Sequence, residues 1–119
     1  MGQNHLTGIL GESAAADYLT SIGHRIISKN YRIPGAEIDL ITCRGQCLYI
    51  VEVKASRFLN EEFDPLERVD ARKIAKLRRA TGRYLSDHPI NFSEIRFAVV
   101  VVEGTALPAP KIEFYDVSD

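Results

Sequence analysis

Residues 35–57 run GAEIDLITCRGQCLYIVEVKASR, two apolar-rich segments on either side of Gly45-Gln46. The segments 36–44 and 47–54 read as strands, and the dipeptide between them reads as a two-residue hairpin loop. A glycine at the first central position is what a type II′ turn requires, because that residue needs a positive φ. With Arg44 paired to Cys47, counting outward sets Ile41 opposite Ile50, Asp39 opposite Glu52 and Glu37 opposite Lys54. Period two puts all of these on one face and Ile38, Leu40, Tyr49, Val51 and Val53 on the other.

One face is therefore apolar throughout, while the other ends in Glu37, Asp39, Glu52 and Lys54. Directly opposed side chains have Cβ atoms about 4.5–5.5 Å apart, and two like charges at that distance destabilise a sheet. A divalent cation shared by Asp39 and Glu52 turns the repulsion into ligation, with Lys54 alongside to hold a water or an anionic oxygen. The plain alternative is a solvated charged face on which Lys54 neutralises one acid.

Asp39 followed by Glu52-Val53-Lys54 resembles the D…E-x-K signature of metal-dependent nucleases in the restriction-endonuclease-like superfamily. Gly11-Glu12, Asn30-Tyr31, Glu37-Ile38-Asp39-Leu40-Ile41 and Val51-Glu52-Val53-Lys54 together resemble the YraN-like family of small bacterial proteins, over residues 8–102. The chain departs from that pattern at Ala36, where a second glycine is typical, and at Ala55-Ser56, where a single small residue before Arg57 is usual. The resemblance implies a restriction-endonuclease-like fold with Glu12 in the site beside Asp39, Glu52 and Lys54. It also implies that Lys73 faces that site, and similarity to Holliday-junction resolvases implies branched DNA as substrate.

At 119 residues the chain is expected to form one domain with a proper core. No apolar run approaches the ~18 residues of a membrane span, and residues 1–10 show no basic region followed by an apolar stretch. The expectation is a cytoplasmic protein with no membrane partner. Cys43 and Cys47 flank the turn and point to opposite faces in this register, which argues against a disulfide. His5, His24 and His88 have no ligand spacing.

The net charge of −1 does not by itself announce a nucleic-acid binder. Its distribution says more. Residues 66–86 carry seven basic side chains against Glu67 and Asp70, so the rest of the chain sums to −6.

In chain order, a helix over residues 7–22 is expected, capped by Thr7 and stopped by Gly23. Its stripe is Ile9, Ala16, Leu19 and Ile22, and Glu12 falls inside it, where an acid needs a partner, a metal or an open edge of the core. Acids near a helix start also favour its dipole. Residues 24–31 read as a strand antiparallel to the hairpin, with residues 33–35 as the turn between. Residues 55–65 have no sustained period and read as a loop at the mouth of the site, with Phe58 and Phe63 either stacking on bases or tucked into the domain edge. The helix over residues 66–86 has Leu66, Val69, Ile74, Leu77, Thr81, Tyr84 and Leu85 on one side and its cations elsewhere, either a solvated face or a track for phosphates. Residues 95–102 read as a strand buried on both faces and parallel to 47–54, because a helix intervenes. A last strand covers residues 111–117, with Ile112 and Phe114 on one face.

The expected architecture is α/β, a mixed central sheet of about five strands flanked by helices. The expected activity is hydrolysis of phosphodiester bonds in DNA. Asp39, Glu52, the Val53 carbonyl and Glu12 are the candidate ligands of Mg²⁺ (or Mn²⁺), Lys54 the candidate catalytic amine and Glu37 its outer partner. Arg57, Arg72, Lys73 and Lys76 are the candidate nucleic-acid contacts, and a homodimer would suit a symmetric substrate. The alternatives are a binding module that cuts nothing and an interaction domain whose charged cluster is structural.

Overall fold

The computed structural model describes residues 2–59 and 71–117. In order the elements are α1 (Gly2–Ser21), β1 (Arg25–Ile33), β2 (Ala36–Arg44), β3 (Cys47–Ser56), α2 (Ala71–Asp87), β4 (Glu94–Glu103) and β5 (Lys111–Asp116). The five strands form one sheet in the order β1-β2-β3-β4-β5. β3 and β4 are parallel, joined through α2, and every other neighbouring pair is antiparallel. The α/β class and the mixed sheet follow the sequence expectation.

The central hairpin forms as its turn dictates. Gly45 has φ +61, and Asn30 is the sole non-glycine with a positive φ among the described residues, so Gln46 does not share it and the turn is not type I′. Pairing runs from Arg44–Cys47 through Ile41–Ile50 to Leu40–Val51 in the expected register.

Each face of the sheet carries its own core. On one, Ala15, Ala16 and Leu19 of α1 pack with Leu40, Val51, Ala98, Val100 and Val102. On the other, Leu77, Ala80 and Tyr84 of α2 pack with Ile38, Ile41, Leu48, Ile50 and Phe97. Burial of β4 from Phe97 to Glu103 explains its unbroken apolar run. Ile112 and Phe114 share the α1 face, as their spacing requires. Cys43 and Cys47 are free thiols.

Three expectations are corrected. Ile38 sits with Ile41 on the α2 face, whereas strict alternation from Leu40 would put it on the α1 face. The strand therefore changes face between residues 38 and 40, at Asp39. Opposite that point Asn30 adopts φ +53, between the pairs Lys29–Leu40 and Tyr31–Ile38. A full Ile side chain gains about 1.5–3 kcal/mol from burial, more than a local backbone irregularity costs at an Asn that tolerates it.

The second correction concerns α1, which begins at Gly2, so Thr7 is not its cap. Ile9 and Ile22 are 50% and 37% exposed, and the buried line is Gly11, Ala15, Ala16 and Leu19. The cause is close approach: a Cβ at Gly11 would stand 2.4 Å from Ala55 Cβ, so the helix backbone lies almost against β3. Small residues make that contact, and larger apolar ones are left outside it. Third, β3 continues through Ala55 and Ser56, which were expected in the loop. Residues 60–70, including Phe63 and the expected helix start at 66–70, lie outside the described residues. Among the described residues no helix is long and apolar enough to cross a membrane.

Candidate active site

The β2–β3 ladder stops one pair short of Asp39 and Glu52. There the main-chain N–H of Val53 donates to Asp39 Oδ2 at 2.8 Å, a side-chain acceptor standing where a strand carbonyl would otherwise serve. The strands part at this point, and the change of face at Asp39 turns its carboxylate toward β3. In an extended strand a residue's N–H and C=O point the same way, so the Val53 carbonyl also looks toward the Asp39 side.

Glu52 is half-buried, its side chain 13% exposed, on the face toward α2. Its Oε1 contacts Lys73 Nζ from α2. Its Oε2 has no hydrogen bond, and Lys54 Nζ is 3.8 Å away. Lys54 is half-buried too, its side chain 9% exposed.

Asp39, Glu37 and Glu52 line a cleft of ≈ 380 Å³ together with Arg72, Lys73 and Lys76, so the start of α2 is the basic wall of an acidic site. A second hollow of ≈ 360 Å³ opens on the other side of Asp39 and Glu37, lined by Glu12 with His5, Asn30 and Arg32. Asp39 is reached from both. Burial pushes its carboxyl up to about 6, the Val53 N–H opposes that rise, and Glu12, Glu37 and Glu52 add to it by repulsion. The contact of Gly11 with Ala55 is what brings the neighbouring Glu12 to this end of the sheet.

Of the sequence candidates, Glu12, Glu37, Asp39, Glu52, Val53, Lys54, Arg72, Lys73 and Lys76 gather around the parted strands. Arg57 does not. Its guanidinium lies 5.2 Å from the centroid of the Phe58 ring, beside a separate hollow lined by Leu6, Leu10 and Thr105. Glu37 pairs with Arg32 at 3.2 Å, its neighbour across the β1–β2 ladder. Two residues escaped the sequence reading. Asn30 faces the Glu12 side, and Arg79 donates through Nη2 to Pro34 O at 3.1 Å beside the cleft. Asn30 belonged to the quoted Asn30-Tyr31 pair, but nothing in its residue type announced a left-handed backbone next to the acids.

Among the described residues no three Asp, Glu, His or Cys side chains form a metal cage by themselves. Magnesium does not need one, since it keeps several waters and is held by one or two carboxylates. The donor set fits such an ion. Glu52 Oε2 is a buried carboxylate oxygen with no hydrogen bond, which is costly as it stands. The Asp39 carboxylate has further lone pairs beside the one that takes the Val53 N–H.

A family model described as "Uncharacterised protein family UPF0102" matches residues 11–102. The chain belongs to this family. A UPF0102 protein of Paenarthrobacter aurescens is 36% identical over 113 residues, 95% of this chain and 93% of the relative. One from Rhodococcus jostii is 37% identical over 95% of each chain. One from Moorella thermoacetica is 39% identical over 80% of this chain and 78% of its own. The matched span of UPF0102 takes in Gly11-Glu12, both strands of the hairpin and the start of α2, which is the whole of the acidic and basic cleft.

Proposed function

We propose that this UPF0102 protein is a metal-dependent nuclease that hydrolyses phosphodiester bonds in DNA, with branched or junction DNA as its substrate. One observation carries the reading: a buried Glu52 carboxylate oxygen without a hydrogen bond, beside Lys54 and in one cleft with Asp39 and three cations of α2.

Asp39 and Glu52 would hold Mg²⁺ or Mn²⁺, with the Val53 carbonyl on the same side and Glu12 completing the acid set from α1. When bound, the ion supplies Lewis acidity and makes a water a competent nucleophile near neutral pH. Lys54, on a rigid strand and shielded from solvent, would orient an attacking water and offset negative charge building on the phosphorus oxygens. Arg72 and Lys76, exposed on α2, hold the flanking phosphates and set the position of the strand without reading its bases.

Cleavage of branched and single-stranded DNA by wild type and Glu52→Ala tests the reading. Activity that needs Mg²⁺ and disappears in Glu52→Ala supports it. Cleavage that persists in Glu52→Ala, or its absence from wild type on every DNA structure tried, counts against it.

A further inference from the structure

Two lysines bracket the single Glu52 carboxylate, and they are not equivalent. Lys54 Nζ stands 3.8 Å from Oε2, with its side chain 9% exposed on the middle strand of the sheet. Lys73 Nζ contacts Oε1 from the helix opposite, with its side chain 39% exposed. Lys73 thus covers one of the two oxygens that a cation would use. An ammonium and a divalent cation cannot share that oxygen at contact distance without strong repulsion.

Lys54 has little of its side chain exposed, whereas Lys73 has a flexible four-carbon stem and a side chain 39% exposed. Its neighbours there are Arg72, one residue before it, and Lys76, three residues after it, both exposed and both lining the same cleft. Lys73 thus lines the same cleft as the two exposed cations.

Resting on the metal-site reading above, we propose that Lys73 is a displaceable counter-ion. It neutralises Glu52 while the site is empty of metal, is expelled when a divalent cation binds, and then contacts a phosphate of the nucleic acid. Metal and nucleic acid therefore bind with positive coupling, each raising the affinity for the other by the same factor. The device keeps four neighbouring acids partly compensated before the metal arrives, and withholds one phosphate contact until it does.

The test uses Mn²⁺ alone, titrated by calorimetry into the full chain as wild type, Lys73→Met, Lys73→Arg and Asp39→Asn. Lys73→Met is expected to bind Mn²⁺ tighter by roughly three- to tenfold, since the ion no longer displaces an ammonium. Lys73→Arg, which keeps the charge, is expected to stay at or below wild-type affinity. A second readout is duplex DNA binding with and without Ca²⁺: Ca²⁺ is expected to strengthen binding by wild type, and to do so less in Lys73→Met. Mn²⁺ affinity in Lys73→Met equal to or weaker than wild type overturns the proposal, and if Asp39→Asn still abolishes binding the metal site itself survives. Absence of Mn²⁺ binding to wild type removes both.

Discussion

The main-chain N–H of Val53 donates to Asp39 Oδ2 at 2.8 Å, and at this bond the β2–β3 ladder ends. One hydrogen bond thus orients an acid whose ionisation its surroundings oppose. Burial and three nearby carboxylates hold the Asp39 carboxyl at about 6, well above an ordinary aspartate.

That shift gives the metal-free fold one source of pH dependence. A carboxyl whose pKa is higher folded than unfolded contributes stability below its unfolded pKa and loses it as pH rises through about 6. In chelator, Asp39→Asn is therefore expected to be more stable than wild type at pH 8, by on the order of 1–3 kcal/mol, because Asn can still accept the Val53 N–H without the charge. Urea denaturation at pH 8 and pH 4 checks this, and the advantage should be gone at the lower pH.

His24 has the opposite sign. It is buried, pairs through Nδ1 with Thr42 Oγ1 at 2.8 Å, and packs against the rings of Tyr49 and Phe114. Burial, and then the charge of Arg44, lower its pKa, so its contribution is present above the ordinary histidine range and is lost as pH falls through the folded value. Replacing His24 with Gln is expected to flatten the loss of stability between pH 7 and pH 5, measured by thermal melts across that range. A curve as steep as wild type would assign the acid limb to other groups.

Gly11→Ala tests the close contact of α1 with β3. Helix propensity alone favours alanine by about 1 kcal/mol. The new Cβ would nevertheless stand 2.4 Å from Ala55 Cβ, backed by the rigid strand, so overpacking wins and a net loss of roughly 1–3 kcal/mol is expected. The double variant Gly11→Ala, Ala55→Gly removes the clash, and equilibrium unfolding should show recovery beyond the sum of the two single changes.

The hairpin was legible because its turn chemistry and its alternation agree; Gly45 and the run from Ile41 to Arg44 pin a register that the structure keeps. Asp39, Glu52 and Lys54 stood out for the same reason, as charges where a stable sheet would have none. The face of Ile38 was not legible, because it depends on a side chain replacing a ladder acceptor and on Asn30 taking a left-handed backbone opposite. Nor was the buried line of α1. Hydrophobic periodicity pointed to Ile9 and Ile22, whereas the packing is decided by how closely Gly11 lets the helix approach. The Arg32 partner of Glu37 was not legible either, since β1 supplies it and the hairpin alone could not reveal it.

The basic wall of α2 makes a graded expectation. Arg72 and Lys76 line the cleft, whereas Arg83 lies farther along the helix and pairs with Asp87 at 3.2 Å. Arg72→Ala and Lys76→Ala are each expected to weaken DNA binding regardless of sequence and to reduce the salt slope by about 1, with Arg83→Ala near wild type. Fluorescence anisotropy across a salt series checks it, and equal effects from all three would point to diffuse charge attraction instead of a track.

The pairing of Asp39 with Glu52 around a divalent cation is tested most directly by calorimetric titration of Mn²⁺ into wild type and Asp39→Asn. Saturable binding to wild type that vanishes in the variant, while the variant remains folded, is the expected result. Binding that the substitution leaves unchanged would contradict a metal held between these two strands.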